Sequence, residues 1–480
     1  MSFASTNASC PACQAWENTS FTKSGGGGGA AGRQPPIEPV QRVRIVLFFD
    51  GTFNNKFNTA ARKAGSIQSP TGSYAGDETN IARMSEKLVP SGSYQGKSYD
   101  VVIPIYIEGI GTTTLDSDSG VGGGLGTEST GVVEKVESGV TKAIDRLMGR
   151  PASIRFEVIH FDTFGFSRGA AAARNAVYRI LSGRIVPVGG TYYELPSARK
   201  KLTDAGRKIS ELKVRFVGLY DTVASLGVIH KFNTRELKLD SISNADQVIH
   251  LAAADEHRKN FRLTNTSSKK GGNSFEMFLP GAHADIGGGY NDGETMHYVL
   301  WTKSTLKLFS TEGAEKEMAA ELAWLRSQGW FTGPGNYLRS GGFPNYTHNV
   351  HYVAGRQTTA SNQYCFIPLN IMARRAGEQN LTFANLQRVT NSELLLVQSA
   401  LRLYENAKRH SSSPFDWFHK TRTTYIPDLP GLRSRHLHFS SRVQDLAVEV
   451  DMKSVVLDGM LESMGPEYVN GRRERIIQNG

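Results

Sequence analysis

Short apolar runs that stop abruptly alternate along the chain with longer segments whose apolar residues recur at helical spacing. Residues 43–49 (VRIVLFF) form the first run, closed by Asp50-Gly51-Thr52. A short apolar run ended by a turn signal predicts a buried strand. Four more have this form: residues 101–107 before Glu108-Gly109, 154–164 before Gly165, 214–220 before Asp221, and 275–279 before Pro280-Gly281. Residues 132–148 carry helical periodicity, and residues 170–181 open with four alanines, the strongest helix formers. Strands alternating with helices predict an α/β fold with a mostly parallel central sheet and helices on both faces. In such sheets ligands bind beyond the carboxyl ends of the strands, which is where chemistry is sought.

After about residue 295 the pattern changes. Residues 296–328 and 383–408 read as largely helical, separated by a glycine- and aromatic-rich stretch, 329–346. The predicted organisation is a flexible Gly/Pro-rich arm (1–40, with five glycines at 25–29) and a catalytic core (41–295). A helical and aromatic-rich insertion or lid (296–435) follows, then a return to the core with a basic, peripheral tail (436–480). With 39% apolar and 21% charged residues, global disorder is excluded. No apolar run is long enough to predict a membrane span. The first residues lack the basic start and apolar stretch of a secretory signal, so a chain made in the cytoplasm and exported without a signal peptide is expected. The excess of 55 Lys+Arg over 45 Asp+Glu is mild, and no nucleic-acid module accompanies it. Three cysteines build no disulfide framework, and Cys10 and Cys13 read as free thiols in the leader.

The chemistry concentrates in Gly165-Phe166-Ser167-Arg168-Gly169, a Gly-x-Ser-x-Gly between a predicted strand and helix. That context is what a nucleophile elbow requires: a strained turn lifts the serine hydroxyl clear of the sheet, and glycines allow close backbone approach. The same pattern also serves an ordinary strand-to-helix turn. An elbow serine needs a base and an orienting acid. Asp221 follows the fourth run and His283 follows the fifth, in the order Ser, Asp, His that α/β-hydrolases use. Asp221 also suits a helix N-cap, and His283 a loop histidine bonded to backbone. Asp285 is a rival partner for His283, and His436 and His438 are rival bases. Asp255 and His257, on a predicted helix, are assigned to structure. For the oxyanion, the Arg168 backbone N–H and the Gly51-Thr52 turn after the first strand are the candidate donors. The glycine run Gly122–Gly126 lacks the Gly-Lys-Ser/Thr of a phosphate loop and reads as a possible lid.

Taken together, FFDGTFNN, GFSRGAAAAR, GLYDTVAS and PGAHADIGGGY resemble the catalytic domain of type VI secretion system phospholipase effectors of the first lipase-effector class. The resemblance covers roughly residues 43–295 and reaches HLHFSS near residue 436. It implies an α/β-hydrolase fold and phospholipase A-type activity. It also implies delivery by a spike or tube component to the periplasm or membrane of target cells, and a cognate immunity protein. It places the nucleophile on Ser167, the acid on Asp221 and the base on His283, with no cofactor and no metal. Larger members carry a membrane-anchoring module; here lipid contact is expected from shorter aromatic insertions. Trp330, Phe331, Phe343, Phe415 and Trp417 are the candidates for the walls or rim of an acyl groove. Two competing readings remain at this stage: a metal-dependent phosphohydrolase using Asp50, Asp221, His283 and Asp285, and a non-catalytic interaction module.

Overall fold

Six parallel strands form the central sheet: β1 (Val40–Phe49), β2 (Val101–Ile107), β3 (Arg155–Phe166), β4 (Ile209–Tyr220), β5 (Gln247–Ala253) and β6 (Ser274–Leu279). Their spatial order is β6-β5-β4-β3-β1-β2. In this computed structural model the described residues are 38–66, 70–118, 131–188, 191–226, 231–232, 234–271, 273–344, 347–359, 361–409, 426, 428–440, 444–446, 468–469, 472–473 and 475–479. Cys10, Cys13, the glycine runs at 25–29 and 122–126, Phe415 and Trp417 lie outside them.

Strands buried on both faces read as unbroken apolar runs, because each alternate residue meets a covering layer. In β1, Val43, Ile45, Leu47 and Phe49 face one core with α2 (Val132–Met148) and α3 (Arg168–Leu181), whereas Val46 and Phe48 face the other. That second layer includes α1 (Asn80–Lys87) and α5 (Phe366–Gly377). Arg44 interrupts the apolar run without leaving the interior. Its Nε donates to Asp162 Oδ2 at 2.5 Å, with both side chains fully buried.

Two elements depart from expectation. β5 is a strand that the apolar pattern did not single out, and it separates β4 from β6. Residues 296–328 are not one helical stretch. Residues 295–306 form β7 (Thr295–Leu306), and only α4 (Glu312–Ser327) is helical. The β-branched and aromatic content of β7 favours a pleated surface over a helix. It pairs antiparallel with β9 (His348–Thr358) and β10 (Gln444–Leu446), and β8 (Tyr337–Pro344) extends the sheet beyond β9. The helix expected at 383–408 begins only at Ser392, as α6 (Ser392–Arg409). Val40–Gly480 is one compact unit. One hydrophobic cluster runs from Val46 and Phe48 of β1 to Trp330, Phe331 and Phe439, so the region after residue 295 shares the catalytic sheet's core.

No helix among the described residues is long and apolar enough to cross a membrane.

Candidate active site

β1, β3, β4 and β6 all deliver side chains to the same edge, because all run parallel and end together. Ser167 stands at the turn between β3 and α3 with φ 60° and ψ −128°, a strained conformation for a residue with a side chain. Its glycines are steric necessities. A Cβ at Gly165 would lie 2.2 Å from the Gly169 carbonyl oxygen, and one at Gly169 would lie 2.2 Å from that of Asp50. Helix α3 is thereby pressed against the ends of both β3 and β1. The elbow is also sewn to the next strand: Ser167 N–H donates to the Tyr220 carbonyl (3.0 Å), and Val223 N–H donates to the Ser167 carbonyl (3.3 Å).

Asp221, directly after β4, has φ 45° and is completely buried. It caps no helix. Its Oδ2 accepts from His283 Nδ1 at 2.5 Å, and its Oδ1 accepts from Ala253 N–H at 2.8 Å. Arg475 grips the same carboxylate with both arms, Nη1 to Oδ1 at 2.5 Å and Nη2 to Oδ2 at 2.8 Å. Against the cost of burial, Arg475 and His283 hold Asp221 well below the usual carboxylate range. His283 shows the opposite balance. Burial pushes its pKa down and outweighs the pull of Asp221, which leaves a neutral imidazole with Nδ1 as donor and Nε2 open as acceptor. Its ring leans on Phe166 (centroids 4.5 Å apart) and meets Phe261 edge-on (4.9 Å). Among the described residues no hydrogen bond engages the Ser167 hydroxyl.

The rivals of His283 are occupied elsewhere. Asp285 accepts from Ala282 N–H (2.8 Å) and from His438 Nδ1 (2.7 Å), so it holds its own loop and the other imidazole. His438 stacks on Tyr290 with centroids 3.7 Å apart. His436 ends α7 (Leu429–His436) and bonds Glu393 at 2.8 Å. Asp255 is in a loop after β5, not on a helix; it accepts from Gly281 N–H (2.9 Å) and Arg433 (2.7 Å) and fixes the turn before His283. Asp50 points away from Asp221's partners: its carboxylate accepts from Thr79 Oγ1 and Tyr106 OH, both at 2.6 Å. The four residues of the phosphohydrolase reading are therefore split among three local networks. Among the described residues, no three His, Cys, Asp or Glu side chains are arranged to hold a metal ion.

Two of the three oxyanion candidates keep their backbone N–H without a protein acceptor among the described residues: Arg168, at the N-terminus of α3, and Thr52. The Gly51 N–H is spent on Asp50 Oδ1 at 2.8 Å, so Gly51 shapes the turn rather than offering a donor. Of the substrate-wall candidates, Trp330 and Phe331 are buried core residues packed on Phe439, with ring centroids 5.3 and 5.5 Å away. Phe343 is a half-buried side chain on β8 beside Tyr352.

Three features escaped sequence reasoning. Glu256 is fully buried, accepts from His283 N–H (3.2 Å) and from Arg258 Nη2 (2.8 Å), and has its pKa held down to about 2 by that guanidinium. Phe261 walls the imidazole. The C-terminal segment, expected to be peripheral, supplies Arg475; residues 477–478 pair with 263–264 in parallel and bring it in. Nothing near Arg475 in sequence signals a partner 254 residues away. Removing its charge uncovers the field of Asp221 at the imidazole, so Arg475→Met should raise the His283 pKa. The base must be neutral to act, so the acid limb of the kcat/KM–pH profile is expected to move to higher pH. A uniform loss with an unmoved limb would show that Arg475 only braces the fold.

Residues 191–327 match the family model described as "T6SS, Phospholipase effector Tle1-like, catalytic domain". That span holds Asp221 and His283 and leaves Ser167 outside it. Among solved structures the fold is similar to that in "Structure of the Tle1 effector bound to the VgrG spike from the Type 6 secretion system", with a TM-score of 0.58 and 22% identity, covering 96% of this chain and 98% of that one. An uncharacterized protein from Pseudomonas aeruginosa matches with a TM-score of 0.40 and 18% identity over 80% of this chain and 53% of that one. Zea mays acyl-protein thioesterase 2 matches with a TM-score of 0.20 and 11% identity over 52% and 89%. No curated protein matches the chain in sequence. The fold is thus that of the solved effector, α/β-hydrolase-like, and the stretch that holds GLYDTVAS and PGAHADIGGGY is similar to the T6SS phospholipase effector catalytic domain.

Proposed function

We propose that the chain is a phospholipase effector of the type VI secretion system, hydrolysing acyl esters of membrane phospholipids by a Ser-His-Asp mechanism. Two observations support this reading: a strained elbow serine directly after β3, and a buried Asp221–His283 hydrogen bond between residues that follow β4 and β6 of the same parallel sheet. His283 Nε2 takes the Ser167 proton as the hydroxyl attacks the ester carbonyl. Asp221 keeps the proton on Nδ1 and stabilises the imidazolium. The N–H groups of Arg168 and Thr52 receive the oxyanion, an arrangement in which each donor is typically worth about 3–4 kcal/mol. His283 then protonates the leaving lysolipid, and a water activated by the same imidazole releases the fatty acid.

The remaining parts of the reading rest on the family resemblance: carriage by a VgrG-like spike, action in the periplasm or at the membrane of a target cell, and neutralisation by an immunity protein in the producer. The test is exposure to a fluorophosphonate probe alongside phospholipid vesicles, with and without a chelator. Labelling mapped to Ser167, with chelator-insensitive release of fatty acid and lysolipid, is the expected result. Absence of label with chelator-sensitive release of a phosphorylated head group would replace the esterase by the phosphohydrolase. Label on another residue would overturn the assignment of the nucleophile.

A further inference from the structure

Arg168 sits one residue after the nucleophile, and its guanidinium is unlike the others around the site. Arg475 is spent on Asp221, Arg258 on Glu256, and Arg433 on Asp255. The fully buried Arg174 donates from Nε and Nη1 to the carbonyls of Leu239, Thr264 and Asn265. Arg168 makes a single side-chain hydrogen bond among the described residues, Nε to Thr52 Oγ1 at 2.8 Å, and no ion pair. That bond fixes the plane of the group and leaves both Nη atoms unspent. It also ties the side chain to the residue whose backbone N–H is the second oxyanion donor. Burial lowers its pKa to about 10 with no neighbouring carboxylate opposing the fall. Asp50, the acid of the adjoining turn, is turned toward Thr79 and Tyr106. The side chain is half-buried and its Nη atoms are accessible, so a ligand that carries an anion can reach them and supply the partner the cation lacks.

We propose that Arg168 reads the phosphodiester of the substrate, its Nη1 and Nη2 binding two phosphate oxygens while its backbone N–H faces the ester oxyanion. This rests on the reading of Ser167 as nucleophile. In a glycerophospholipid the phosphate is joined to the scissile ester by a few covalent bonds, so one residue at the elbow can serve both ends. Arginine suits the task because its planar fork matches two phosphate oxygens at once, whereas a lysine offers a point charge. Arg168 then makes the site selective for phosphate-bearing esters over neutral glycerides with the same acyl chains.

The test compares kcat/KM for phosphatidylglycerol and for diacylglycerol of identical acyl composition in the same detergent micelles, for wild type, Arg168→Gln and Arg168→Lys. The readout is the ratio of the two substrates, which a general loss of folded enzyme does not move. Arg168→Gln is expected to lower the phospholipid-to-diacylglycerol ratio by about 10- to 100-fold, and Arg168→Lys to lower it less. Equal loss on both substrates, or an unchanged ratio in both variants, would overturn the proposal and leave Ser167 as nucleophile intact. If Ser167→Ala retained hydrolysis of both substrates, it is the underlying reading that fails, whatever Arg168 does.

Discussion

Ser167→Ala is expected to lower kcat for phospholipid acyl release by about a million-fold, the scale on which serine hydrolases lose activity without their nucleophile. The loss should be nearly pure chemistry. The hydroxyl engages no protein partner among the described residues, so its removal leaves no orphaned donor or acceptor in the interior. Alanine accepts the turn's positive φ no worse than serine does, and the backbone bonds to Tyr220 and Val223 do not depend on the side chain. Fatty-acid release measured beside thermal melting gives the check. A variant that melts like the wild type and retains activity within tenfold would remove Ser167 from the mechanism.

Asp221→Asn should reduce kcat by about ten-thousand-fold, because an amide no longer holds the imidazole in its working tautomer. Here the change should also destabilise the fold, which separates this acid from one exposed to solvent. Among the described residues the carboxylate is the acid that both Arg475 arms bond, and it also accepts from Ala253 N–H. Neutralising it strands a buried guanidinium, and breaking a buried ion pair from one side typically costs about 3–5 kcal/mol. Asp221→Asn should therefore melt well below wild type. Adding Arg475→Met should recover part of the melting temperature while restoring no activity. Melting curves and fatty-acid release on the single and double variants measure the two effects. Full melting stability in Asp221→Asn would contradict the ion-pair account, and near-normal turnover would contradict the catalytic one.

The two substitutions act on different links of one chain of causes. Ser167 is placed by backbone crowding, since a Cβ would strike α3 at Gly165 and the end of β1 at Gly169. Asp221 is placed by contacts distant in sequence: β5 through Ala253, the loop after β6 through His283, and the C-terminal segment through Arg475. An error in any of those three segments reaches the acid.

Much of this was legible in the amino-acid order, for physical reasons. Burial on both faces of a parallel sheet imposes continuous apolar runs, so five of its six strands could be read directly, and the ends of those runs located Ser167, Asp221 and His283. The elbow announces itself because its glycines, its serine and the alanines of α3 stand together in one short motif between a strand and a helix. Tertiary structure decided the rest. β5 carries His250 in mid-strand, where Glu276 on Nδ1 (2.7 Å) and the Thr222 N–H on Nε2 (3.1 Å) satisfy the imidazole. Residues 295–306 became a strand because β9 and β10 lay alongside to complete its ladder. Gly51 lost its free N–H to Asp50, and Trp330 and Phe331 sank into a core formed with Phe439. Arg475 reached Asp221, and Arg168 was left with one side-chain partner among the described residues, through contacts that periodicity and local motifs do not encode. Short-range sterics and hydrophobic spacing are written residue by residue; the pairing of a buried charge is set by whichever distant segment the folded chain brings beside it.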